Sequence, residues 1–382
     1  MNICYLGGVE RDLFARSWTC AGRVSDVLQP GAWVRSSSFS WEHDVVVMRG
    51  EDLELRAFYN LCRHRGTPLL DGDAGRSSTV VCPYHGWSYA CSGALVKAPS
   101  APDGFDRRPW GLRQVRVAEW QGFVFVALDD RAPSLAEWMG EVPPPLAQAK
   151  LAHARRARRI SWETAANWKL LVSNFQESHH FPNVHPELER LTPTRRARTW
   201  LSPRSKWLGG EMDIVDGAST VSTTGKLEGR ALIVPQERAR VVFDAMLFPL
   251  MLTSLQPDYF LTYRLEPLSE DATRVVAEIF VHASVPESAH LSSIFSFWDT
   301  VNAQDRAICE RQARGVRSRG FSPGPRIPAD EGVHAFEALL AEELGAQRRA
   351  PRDDGGVGGG APDREELEAG VGAGAPDREE TR

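Results

Sequence analysis

Two short segments, Cys62-Arg63-His64 and Cys82-Pro83-Tyr84-His85, separated by seventeen residues, constrain this chain more than any other feature of it. Each places one thiol and one imidazole in a loop, and a hairpin-sized span brings the two loops face to face. Thiolates with imidazoles suit either a tetrahedral zinc ion or a two-iron, two-sulfur cluster in which His replaces Cys on one iron. Gly66 and Gly86 lie just past the His positions and Pro83 follows a Cys. Such neighbours are expected where tight loops bring backbone N–H groups against bridging sulfides, and they favour the cluster. The other thiols, Cys4, Cys20, Cys91 and Cys309, have no partner pattern and read as ordinary buried side chains. Six Cys in 382 residues are too sparse for a disulfide scaffold.

The surrounding sequence divides into blocks. Short β-rich runs between residues 33 and 127 alternate with Gly- and Pro-bearing turns and read as a small all-β module. The Pro-rich stretch at 141–146 breaks that pattern and places a junction near it. The basic run at 155–159 has no interleaved aromatics and reads as a solvated face. From residue 161 onward a helical stretch, strands over 240–252, 259–266 and 273–281, and a long helix predict an α+β domain with a largely antiparallel sheet. Residues 351–382 hold nine acids against four Arg and eight Gly, and so carry the whole net charge of −5. That tail, with a sequence at 360–366 repeated at 374–380, reads as disordered low complexity. The charge-balanced remainder offers no general basic field for nucleic acid. No apolar run approaches the roughly 18 residues needed to span a bilayer, and residues 1–12 lack a basic start followed by an apolar stretch. The expectation is a cytoplasmic protein with neither membrane nor nucleic-acid partner.

A second constellation lies at 167–186. Residues 167–181 lack Gly and Pro, and at about 100° per residue Leu170, Asn174, Glu177, His180 and Phe181 share one face of a helix. Glu177 and His180 then stand side by side, with His179 pointing away. Pro182 should end or bend the helix after Phe181, letting His185 swing back toward His180. On a later helix over 297–319, Asp305 sits in an apolar stripe with Val301, Ile308, Cys309 and Gln312. A buried carboxylate is costly unless paired or bound to a cation. Two His and one Asp make the facial triad of non-haem iron(II) oxygenases, which leaves positions open for oxygen.

The loop over 57–66 closely resembles the first loop of Rieske oxygenases. Asn167-Trp-Lys, Asn174-Phe, Glu177, His180 and His185-Pro186 resemble the catalytic-domain signature of their alpha subunits, as Asp305 with Gln312 and Gly315 resembles their third-ligand helix. The resemblance covers most of residues 10–345. It implies that Cys62 and Cys82 bind one iron of a [2Fe-2S] cluster and His64 and His85 the other. It further implies that His180, His185 and Asp305 hold a mononuclear Fe(II), with Asn174 and Glu177 as further catalytic residues. Thr67 and Tyr84 stand where respiratory Rieske proteins carry an extra Cys. Two positions depart from the oxygenase pattern: Ser173 replaces an acid, and His179 replaces a Tyr. The implied architecture is a helical lead-in at 1–16, shortened relative to the family, a Rieske domain at 17–130, a helix-grip catalytic domain at 131–345 and a disordered tail at 346–382.

By the same resemblance, electrons pass from NAD(P)H through a separate flavin- or ferredoxin-type reductase, because no Gly-rich nucleotide fingerprint occurs in this chain. The cluster reduces the mononuclear iron, which activates O2 to hydroxylate a small organic substrate. Glu177 bridges His85 of one subunit and His180 of the next in a head-to-tail homotrimer. The alternative is a Rieske electron carrier without oxygenase activity, which would leave Asp305 without a cation. Residues 298–325 look more like choline, carnitine and glycine betaine monooxygenases than naphthalene-type dioxygenases, which leaves both N-methyl oxidation and ring hydroxylation open. A quaternary ammonium needs an aromatic cage, for which Trp207, Phe243, Phe248, Tyr259, Phe260 and Tyr263 are candidates, although strand aromatics are more often core. Deleting residues 351–382 should change neither iron content nor activity; a loss of folded yield or subunit assembly would contradict this.

Overall fold

The computed structural model describes residues 10–36 and 44–349, so Cys4 and residues 350–382 lie outside it. Helix α1 (Glu10–Arg16) leads into ten strands: β1 (Thr19–Arg23), β2 (Ala32–Ser36), β3 (Val45–Arg49), β4 (Leu55–Tyr59), β5 (Ala74–Arg76), β6 (Thr79–Val81), β7 (Ser88–Ala90), β8 (Leu95–Lys97), β9 (Gln114–Trp120) and β10 (Phe123–Ala127). They form an antiparallel sheet in the order β1-β10-β9-β4-β3-β2-β5 and a small sheet β6-β7-β8. Both faces of β3 and β10 are covered, and their runs of Val and Phe suit that pleated, doubly buried setting. The Cys62 loop follows β4 and the Cys82 loop follows β6. Each is a tight turn closed by a backbone bond, Gly66 N–H to Cys62 O at 2.9 Å and Gly86 N–H to Cys82 O at 3.0 Å. Gly66 and Gly86 have φ of 73° and 70°, a conformation that a side chain would strain.

Short helices α2 (Leu135–Met139) and α3 (Pro144–Gln148) lead into the second unit. It holds β11 (Arg155–Thr164), α4 (Trp168–Phe175), α5 (Phe181–Val184), α6 (Pro186–Leu191), β12 (Arg198–Leu201), β13 (Trp207–Asp213), β14 (Val241–Leu247), β15 (Met251–Leu255), β16 (Tyr259–Ser269), β17 (Ala272–Val281), α7 (Ser292–Val316) and α8 (Glu331–Arg349). The strands form one antiparallel sheet, β11-β17-β16-β15-β14-β13-β12. The long helix α7 meets one face of it, where the Tyr263 hydroxyl donates to Asn302 Oδ1 at 2.7 Å and Trp298 Nε1 donates to the Tyr259 hydroxyl at 2.7 Å. The expected α+β class and antiparallel sheet around a long helix are what the chain forms. The stretch read as one strand over 240–252 is two, because the chain turns at 248–250.

The opposite face of the sheet meets the N-terminal unit. Phe123 of β10 packs edge-on to Phe260 and Phe280, with ring centroids 6.0 and 5.6 Å apart. The basic run is not the solvated face expected. Strand β11 lies at a sheet edge beside acids from both units, so Arg156 bonds Asp26 at 2.6 Å and Glu278 at 2.9 Å, while Arg158 pairs with Asp299 at 3.0 Å. The Glu278 side chain is only 4% exposed and also feels the charges of Arg23 and Arg264, so Arg156→Ala should remove its hydrogen-bonded partner and cost about 1–2 kcal/mol, read as a lower midpoint in chemical denaturation.

Candidate active site

At the first site the two thiols, Cys62 and Cys82, are buried while His64 is exposed and His85 half-buried. The imidazole centroids lie 4.7 Å apart, and His64 stacks on Trp87 at 4.9 Å with an interplanar angle of 7°. The Tyr89 hydroxyl lies 3.3 Å from Cys62 Sγ and also accepts from the Arg63 N–H at 3.0 Å. Two sulfurs inside and two imidazoles outside suit an asymmetric two-iron cluster, which Cys62, Cys82, His64 and His85 would hold, better than one tetrahedral ion. Leu61, Val81, Tyr84 and Trp110, all in or beside these loops, are exposed apolar side chains.

At the second site His180, His185 and Asp305 each turn a donor atom toward the others, all within 4.8 Å of one another. His180 Nε2 is 3.8 Å and His185 Nε2 2.9 Å from Asp305 Oδ1. Both rings are tethered by the other nitrogen: His180 Nδ1 to Glu177 Oε1 at 2.5 Å, and His185 Nδ1 to Gln304 Oε1 at 2.6 Å. A proton committed at Nδ1 leaves the Nε2 lone pair for a cation, the arrangement usual around metal-binding His. Asn174 Nδ2 donates to Asp305 Oδ1 at 2.7 Å and aims the carboxylate. Burial alone would lower the pKa of His185, but its hydrogen bond to Asp305 and that residue's charge, with Gln304, raise it on balance. Two imidazoles with one carboxylate fit iron(II) by donor type.

The local path differs from the sequence reading in three ways. Helix α4 stops at Phe175, and residues 177–180 form a turn in which the His180 N–H donates to Glu177 Oε2 at 3.2 Å. The reason is Pro182: in a continuous helix its ring would clash with the carbonyl of Ser178, whereas here it sits in the first turn of α5, where its missing N–H costs nothing. His179, expected on the far side, therefore comes within 3.4 Å of Glu177 and bonds Asp330 at 2.7 Å. Asp305 is not deeply buried; its side chain is 33% exposed because it opens onto a cavity, and Gln312 faces outward instead of continuing its stripe.

That cavity encloses about 310 Å³ and is lined by the triad, Glu177 and Asn174 together with Phe175, Phe181, Tyr263, Trp298 and Asp244. Of the six cage candidates only Tyr263 lines it. Trp207, Phe243, Phe248, Tyr259 and Phe260 are sealed at 0–1% exposure, as strand aromatics facing a packed layer are. Gln304, Asp244 and Asp330 were missed. Gln304 could have been noticed beside Asp305, but nothing local marks the other two.

Residues 151–346 match the family described as ring hydroxylating alpha subunit (catalytic domain), and residues 17–118 match the Rieske [2Fe-2S] domain. The carnitine monooxygenase oxygenase subunit of Acinetobacter pittii is 34% identical over 344 residues, covering 86% of this chain and 89% of that protein. The glycine betaine monooxygenase oxygenase subunit of Pseudomonas aeruginosa is 25% identical over 366 residues, covering 87% and 85%. Among solved structures, a quaternary ammonium Rieske monooxygenase superposes with a TM-score of 0.74 at 24% identity, covering 88% of this chain and 91% of that one. Naphthalene 1,2-dioxygenase superposes at 0.68 and 20% identity, covering 90% and 91%; both structural likenesses bear on the fold. Both domain matches agree with the two places where the fold gathers its Cys, His and Asp side chains, and this chain belongs to the ring-hydroxylating alpha subunits of Rieske oxygenases, which are oxidoreductases.

Proposed function

We propose that the chain oxygenates a small organic molecule in the cavity between α7 and the sheet, with electrons delivered by a separate NAD(P)H-dependent reductase. When bound, the [2Fe-2S] cluster relays electrons and the mononuclear Fe(II) activates O2. Cys62, Cys82, His64 and His85 would hold the cluster, and His180, His185 and Asp305 the iron. The convergence of those three donor atoms within 4.8 Å in a cavity wall carries this reading over an electron carrier, which needs no such triad. Iron analysis tests it: the oxygenase holds about three irons per chain and a carrier about two.

The chain's own residues prepare the site. Glu177 and Gln304 hold the two imidazoles by their Nδ1 atoms, and Asn174 holds Asp305. Tyr263 and Trp298 wall the cavity with aromatic surface while their polar atoms are engaged elsewhere. The exposed apolar side chains around His64 and His85 suit docking of that surface on the Glu177 side of a neighbouring copy in a homotrimer. Glu177→Gln should leave both metals bound while turnover falls by roughly 100-fold, because a carboxylate that orients His180 and links the two centres has been neutralised. Single-turnover reoxidation of the cluster as fast as in the wild type would show that Glu177 does not bridge.

A further inference from the structure

One charged group of the cavity is unexplained by the metal site. Asp244 sits in the middle of β14, across the ladder from Gly210 on one side and Ser254 on the other, and all three line the cavity. The other charged side chains of the wall are engaged: Glu177 with His180, Asp305 with His185 and Asn174, Glu211 with Arg238 and Arg198. Ser254 hydrogen-bonds the Asp244 carboxyl, but the buried Asp244 Oδ1 has no hydrogen-bond partner among the described residues. Burial raises its pKa to about 6, and no cation among the described residues pairs with the carboxyl. The Tyr263 hydroxyl, itself held neutral by burial, feels the charges of both Asp305 and Asp244, which places the carboxylate in the same electrostatic space as the metal triad.

We propose that Asp244 is the substrate-binding residue that selects a positively charged substrate, pairing through space with a quaternary ammonium group held against the faces of Tyr263 and Trp298. This rests on the oxygenase reading and adds the residue that chooses its substrate. A buried, unpaired carboxylate is costly, and a cation brought into the same dry cavity removes that cost. A quaternary ammonium fits better than a primary one. Its charge is spread behind methyl groups and asks for no hydrogen bond, which the recessed Oδ1 is poorly placed to accept, while aromatic faces attract it. A neutral aromatic ring would leave Asp244 uncompensated.

The test uses iron-loaded holoenzyme under anaerobic conditions, with calorimetric titration of two matched pairs: choline against 3,3-dimethylbutan-1-ol, and glycine betaine against 3,3-dimethylbutanoate. Each pair differs by nitrogen cation against carbon. The wild type should bind at least one ammonium compound roughly 10-fold tighter than its carbon isostere, and Asp244→Asn should erase that preference while leaving isostere affinity, iron content and cluster spectrum unchanged. Asp244→Glu, which keeps the charge, should recover part of it. A wild type that does not prefer either cation, or an Asn variant that keeps the preference, overturns the assignment. The wild-type comparison decides even if the Asn variant does not fold. Iron content separates the two readings: about two irons per chain defeats the oxygenase, whereas three irons without a charge preference defeats only the part given to Asp244.

Discussion

Asp305→Ala should yield a folded protein that keeps its two cluster irons and its visible Rieske spectrum, lacks the mononuclear iron, and consumes no oxygen when substrate and reductant are supplied. Two observations set this expectation. Asp305 contributes the carboxylate of a three-donor set in which each imidazole is already oriented by another residue, so its loss removes a ligand without freeing the rings. It is also one-third exposed on the cavity and sits mid-helix, so the cost to folding is limited to its bonds with Asn174 and His185, about 1–3 kcal/mol. A purely structural Asp305 would give the reverse: a lowered melting temperature with wild-type iron content. Metal analysis of the purified variant separates the two, and mononuclear iron retained at full stoichiometry would move the third ligand elsewhere.

The second large effect is expected at the other site. His64→Ala or Cys82→Ala should abolish the visible absorption and the electron paramagnetic signal of the cluster, and with them all turnover. Each loop supplies one thiol and one imidazole, so neither holds a substitute. The nearest spare thiol in sequence, Cys91, is committed to the carbonyls of Ser77 and Ser78 at 3.3 and 3.4 Å, and burial raises its pKa, which keeps it a thiol. A variant with a normal Rieske spectrum would refute the assignment of these four residues. Because the loops pack in a hydrophobic cluster separate from that of the catalytic unit, the catalytic fold should survive in both variants, which circular dichroism would verify.

What was legible in the sequence was whatever a local pattern encodes. The two Cys-His loops are such a pattern, because tight turns with Gly at positive φ need particular residues at particular offsets. The antiparallel sheet and the long helix carrying Asp305 were also visible, as alternation and as 3.6-residue spacing. Periodicity failed where one residue overrode it. Residues 167–181 read as a single helix, yet Pro182 ends the regular path early and brings His179 beside Glu177, a neighbour that helical geometry excluded.

The tertiary structure alone decided which long-range neighbours complete the site. Gln304 orients His185 across 119 residues of chain, and Arg156 joins Asp26 across 130. Whether a strand aromatic lines the cavity or fills the core depends on which face of the sheet α7 covers. Tyr263 opens onto the cavity while Phe260, on the other face, packs against Phe123 of the N-terminal unit. Asp244 shows the limit most plainly. In the sequence it is an acid within an apolar strand, with nothing to distinguish a buried defect from a binding group. Only the folded sheet sets it across from Gly210, away from any cation among the described residues and in the same cavity as the metal triad. Local residue types determined which atoms could bind metal and where regular structure could form. The packing of distant segments determined which charges remained unpaired, because burial and neutralisation are properties of surroundings that no single stretch of chain contains.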